Sequence, residues 1–162
     1  MHTRRAFLAA LALTSALSGA FLGTPASAAE GTHGTMIVHK DPFCGCCTAW
    51  AEHMEAAGFR VEVRETSLMD EVKARLGVPR DLASCHTAEI DGYVIEGHVP
   101  AAAVEELLAQ RPDVAGLSVP GMPIGSPGME VPGVAAERYE VVGFGEDGAR
   151  VVGRFVGVER VR

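Results

Sequence analysis

The spacing of apolar residues changes period several times along this chain, and each change marks an element. Met36-Ile37-Val38 is a short, β-branched apolar run within residues 35–40, the pattern of a buried strand. Pro42 stops it. Over residues 47–58 the period becomes helical, with Cys47, Trp50, Ala51 and Met54 along one stripe and Gly58 as the stop. Residues 59–64 alternate apolar and polar, as a half-buried strand does. Ser67 can cap a second helix whose inner face carries Leu68, Met69, Val72 and Leu76, with Gly77 closing it. Two short runs around Asp91-Gly92, at 88–90 and 93–96, predict a hairpin. Pro100 then suits the first turn of a third helix, with Ala101, Val104, Leu107 and Leu108 inward.

The order is therefore β-α-β-α-β-β-α, an α/β arrangement with parallel pairing of the first strands. Beyond it, residues 119–134 are dense in Pro and Gly, with Met122 and Met129 among their few sizeable side chains. Such a segment builds no core of its own but can lie as an ordered lid. Residues 137–144 and 149–158 predict two strands, a terminal hairpin packed on the domain. The domain is expected over 35–118, the loop over 119–134 and the hairpin over 135–162.

Residues 1–28 read as an export signal. Arg4 and Arg5 precede an alanine- and leucine-rich run, and Ala26-Ser27-Ala28 fits a cleavage site. Thr3-Arg4-Arg5-Ala6-Phe7-Leu8 resembles a twin-arginine signal, read by a pathway that exports folded proteins. Cleavage after Ala28, with residues 29–34 as a flexible lead-in, predicts a periplasmic protein. Residues 1–28 hold two of the 14 Lys+Arg and none of the 21 Asp+Glu, so the remainder has a formal charge of −9. That charge disfavours nucleic acid and anionic membranes as partners. No later run is long enough to span a bilayer, so stable membrane insertion is not expected.

The candidate chemistry sits where the first strand turns into the first helix. Cys44, Cys46 and Cys47 fall within four residues, and the fourth cysteine, Cys85, is followed by His86. Unpaired N–H groups at a helix start favour thiolate. Bare thiolates this close repel one another and need protons, a disulfide or soft cations. Cys44 and Cys47 have the C-x-x-C spacing that closes reversibly. Clustered cysteines in an exported chain point to a metal or redox site rather than a stapled scaffold.

The element order and the Cys44–Cys47 position resemble the thioredoxin-like plan. In that plan the residues before the third strand lie against the C-x-x-C and normally include a cis proline; Ser84-Cys85-His86 stands there instead. The combination of Lys40-Asp41-Pro42, Cys44–Cys47, Trp50, Ser84-Cys85-His86-Thr87-Ala88, Glu96-Gly97-His98-Val99-Pro100, Val119-Pro120-Gly121-Met122-Pro123 and Gly125-Ser126-Pro127-Gly128-Met129 resembles the bacterial copper-resistance CopG-type family. The resemblance implies a thioredoxin-like fold, copper handling in the periplasm, and copper-handling or redox proteins as partners.

Thiolate and thioether select Cu(I). Adjacent cysteines cannot easily chelate one ion but can bridge two, so the expectation is more than one Cu(I) on Cys44, Cys46, Cys47 and Cys85. His86 and His98 are candidate terminal ligands, and Met122 and Met129 are thioether candidates or hydrophobic plugs. His39 is expected outside the ligand set, His53 as a structural or surface group and His33 as a solvated tail residue. Three alternatives stand beside copper. One is a thiol–disulfide oxidoreductase with Cys44 as nucleophile and Cys47 as resolving thiol. Another is structural zinc, which adjacent Cys46 and Cys47 suit badly. The third is a disulfide-bonded interaction domain.

Overall fold

A computed structural model describes residues 33–162. The expected export signal and residues 29–32 of the lead-in lie outside the described residues. Among the described residues are three α-helices and one eight-stranded sheet of order β2-β1-β3-β4-β5-β6-β7-β8. The elements are β1 (Met36–Lys40), α1 (Gly45–Ala56), β2 (Val61–Glu65), α2 (Met69–Arg75), a 3-10 turn (Arg80–Leu82), β3 (Thr87–Ile90), β4 (Tyr93–Glu96), α3 (Ala101–Gln110), β5 (Gly116–Ser118), β6 (Arg138–Gly145), β7 (Gly148–Val156) and β8 (Glu159–Val161). None of the described helices is long and apolar enough to cross a membrane.

β1 runs parallel to β2 and antiparallel to β3, so it lies inside the sheet, with Met36 and Val38 fully buried. β3 and β4 form the expected hairpin, and its turn residues are left-handed (Asp91 φ 47°, Gly92 φ 88°), as an Asp-Gly turn requires. The predicted stripe of α1 is the buried one: Cys47, Trp50, Ala51 and Met54. Its Trp50 and Met54 join Val104, Leu107 and Leu108 of α3 and Met36, Val38, Ile95 and Leu117 of the sheet in one core. A smaller cluster of Val78, Leu82, Val94 and Phe144 collects separately. All four residues of β4 are buried.

Three expectations need correction. The terminal strands do form the expected hairpin, β6–β7, but it is part of the sheet rather than laid on the domain. β5, unforeseen in the sequence, pairs with β4 on one side and β6 on the other, so β6, β7 and a further strand, β8, extend the same sheet. Tyr139, Val141 and Phe155 belong to the main core accordingly. The second strand starts at Val61; Phe59 lies before it as a buried anchor. Finally, α2 is only seven residues long and buries none of them; Leu68, its N-cap, is 55% exposed.

Candidate metal centre

The C-terminal ends of parallel β1 and β2 lie side by side, and the chain leaves β1 there to start α1. Cys44 is the N-cap of α1 and keeps an extended backbone (φ −79°, ψ 95°), which puts Cys46 and Cys47 in the first turn. Asp41 shapes the approach: its carbonyl accepts from Cys44 N at 3.0 Å and its carboxylate from Phe43 N at 2.8 Å. Lys40, almost wholly buried, donates to Glu65 at 3.3 Å and to the Pro42 carbonyl at 3.5 Å.

Cys44 and Cys47 are joined by a disulfide, while Cys46 and Cys85 are free. Cys46 Sγ lies 3.5 Å from Cys44 Sγ and 3.9 Å from Cys85 Sγ. All four sulfurs are within 4.8 Å of one another. The fold thus brings the distant cysteine to the helix start. Burial, and after it the Cys46 sulfur, push the Cys85 thiol up to about 12. A cation bound at the sulfur supplies the compensation that ionisation there requires.

The segment carrying Cys85 is pinned by a buried carboxylate. Glu96, at the end of β4, accepts from Ser84 N at 2.6 Å, Thr87 Oγ1 at 2.7 Å and Lys73 Nζ at 2.6 Å. Burial raises the Glu96 pKa, against the opposing pull of Lys73. On the other side, Cys85 Sγ is 3.0 Å from His98 Nε2 and 3.4 Å from His86 Nδ1. His98 Nδ1 donates to the Pro127 carbonyl at 2.8 Å, which leaves the Nε2 lone pair facing the sulfur. His86 packs on Trp50 (ring centroids 4.4 Å apart) and edge-on to His98 (5.0 Å), and its Nε2 is buried without a hydrogen-bond partner. Both histidines are fully buried, and burial lowers both pKa values, His86 well below the ordinary range, so both rings are neutral at pH 7.

Residues 119–129 close over this end. Ser84 Oγ donates to the Gly121 carbonyl at 2.5 Å. Gly128 (φ +83°) sits so close to α1 that a Cβ there would fall 2.6 Å from the Cys46 carbonyl oxygen and 2.8 Å from Trp50 N, which is why this position is glycine. On this lid Met122 is 54% exposed and Met129 is partly buried.

The fold groups Cys44, Cys46, Cys47 and Cys85 as one set, and Cys85, His86 and His98 as a second that shares Cys85. His39 turns instead to Glu89, at 2.8 Å. His53 Nε2 is buried and unpartnered, with a pKa lowered by burial. His33 is partly buried, 3.7 Å from Asp91 and stacked on Phe59, rather than a free tail residue. Sequence reasoning missed the Pro127 carbonyl, Lys73 and the anchoring role of Glu96. Glu96 lay inside a quoted motif, but a carbonyl acceptor leaves no mark in side-chain identity.

A family model described as a protein of unknown function, DUF411, matches residues 82–129. No curated protein matches. Two solved structures do, titled copper resistance protein copG, form 2 and form 1. Each is 48% identical to this chain with a TM-score of 0.70; the alignments cover 75% and 76% of this chain and 97% and 98% of theirs. At that identity and coverage, the chain belongs to the CopG copper-resistance family.

Proposed function

We propose that this chain is an exported, periplasmic copper(I)-binding protein for copper tolerance, built on a thioredoxin-like fold. Cys44, Cys46, Cys47 and Cys85 form its thiolate core and hold more than one Cu(I) through shared sulfurs. His86 and His98 are terminal ligands, and Met122 and Met129 offer thioethers from the lid. The observation that carries this reading is the meeting of Cys85 with the helix-start cysteines, its sulfur 3.9 Å from that of Cys46. Four soft donors in one partly buried pocket favour Cu(I) over harder ions. Adjacent Cys46 and Cys47 fit bridging better than one tetrahedral zinc.

The Cys44–Cys47 disulfide supports redox coupling: the four-thiolate core requires its reduction. The same bond favours a second reading, a thiol–disulfide oxidoreductase with Cys44 as attacking and Cys47 as resolving sulfur. Anaerobic Cu(I) titration of the reduced protein, counted by native mass spectrometry, tests the first reading. More than one copper per chain, reduced in Cys85→Ser, is the expected result; one zinc and no copper uptake would refute it. Insulin reduction by the metal-free protein, lost only in Cys44→Ser or Cys47→Ser, would establish the second.

A further inference from the structure

We propose that Cys85, His86 and His98 bind a single copper ion while Cys44 and Cys47 remain a disulfide, so that closing the disulfide leaves a one-ion site rather than none. This deepens the copper reading above and rests on it. The disulfide removes two of the four thiols and includes none of these three residues. Their donor atoms lie within 4.8 Å of one another, with Cys85 Sγ 3.0 Å from His98 Nε2 and 3.4 Å from His86 Nδ1. Ligands ~2.0–2.3 Å from one ion stand roughly 3.3–3.8 Å apart, so small shifts suffice to admit it.

One of the two rings is already oriented for a metal. The Pro127 carbonyl takes the Nδ1 proton of His98, which fixes the tautomer whose Nε2 can ligate. His86 Nε2 is buried and unpartnered, so this ring's polar contact with the cluster runs through Nδ1 toward Cys85. One thiolate with two imidazoles suits copper in both its +1 and +2 states, whereas an all-thiolate core selects Cu(I). Cys85 belongs to both donor sets, so the state of Cys44 and Cys47 determines how many ions the centre holds and which atoms hold the last one.

The test compares two forms of the protein. The disulfide-closed form, with Cys46 and Cys85 identified as its alkylatable thiols, is titrated anaerobically with Cu(II) and followed by visible absorption and electron paramagnetic resonance. The reduced form is titrated with Cu(I) in parallel. The expected result for the closed form is one Cu(II) per chain with an intense thiolate-to-copper band. The band is lost in Cys85→Ser and retained in Cys46→Ser. In the unmutated protein, bound copper protects Cys85 but not Cys46 from iodoacetamide, a readout independent of how the variants fold. Absence of the band, while the reduced form loads copper, overturns the inference alone. So does oxidation of Cys46 and Cys85 to a second disulfide, with their two electrons passing to two Cu(II). A reduced form that takes up no copper overturns the copper reading itself.

Discussion

Cys46 and Cys85 are separated by 39 residues in sequence and by 3.9 Å at their sulfurs. One lies in the first turn of α1; the other lies on the segment just before β3. Because β3 pairs directly with β1, the chain entering β3 passes the point where β1 gives way to α1. The cluster is thus a consequence of strand order, and the residues that hold the Cys85 segment in place control it.

Glu96 is the chief of these. Its side chain is fully buried and takes three hydrogen bonds, one from Lys73 across a 2.6 Å ion pair. Removing one partner of a buried pair leaves the other uncompensated, so Glu96→Gln is expected to cost about 3 kcal/mol. Urea unfolding of the metal-free protein measures it. Copper affinity should fall with it, because Ser84 N loses the carboxylate that anchors the turn into Cys85.

Trp50 is the chain's single tryptophan and reports on the site directly. It is fully buried, donates from Nε1 to the Val99 carbonyl at 2.9 Å, and packs 4.4 Å from His86. Copper loading should quench its fluorescence in step with metal uptake. Trp50→Phe strands the Val99 carbonyl and should destabilise the fold by about 1–3 kcal/mol in the same unfolding assay.

The buried histidines predict a pH dependence. The folded pKa values of His86 and His98 are lowered by burial, so between them and the unfolded value of about 6.5 the unfolded chain binds more protons. Stability of the metal-free protein from this source is therefore present above about pH 6.5 and lost as pH falls below it. The limiting slope is about 1.4 kcal/mol per pH unit for each histidine. Glu96, raised by burial, contributes with the opposite sign. The difference between the parent protein and His86→Gln isolates the His86 part, and the parent should show the steeper loss in urea midpoints measured from pH 7 to pH 5.

Where the sequence carried a repeating signal, the structure follows it. The stripe Cys47, Trp50, Ala51, Met54 is buried as its spacing demands, and the Asp91-Gly92 hairpin forms at its turn. β5 escaped notice because Gly116-Leu117-Ser118 is too short to show alternation and opens on a glycine, a residue that argues against strand. Leu68 looked like an inward residue of a longer helix, but α2 begins after it and leaves it exposed. The cysteine cluster was legible only through element order, since no local pattern places Cys85 beside Cys46. The contacts that aim it, from the Pro127 carbonyl through His98 and from Lys73 through Glu96, depend on tertiary placement.

X-ray absorption at the copper edge of the reduced, Cu(I)-loaded protein tests the central claim most directly. The account predicts a sulfur-dominated first shell and a copper–copper scatterer, both diminished in Cys85→Ser. A first shell of nitrogen and oxygen, or a spectrum unchanged by Cys85→Ser, would contradict it.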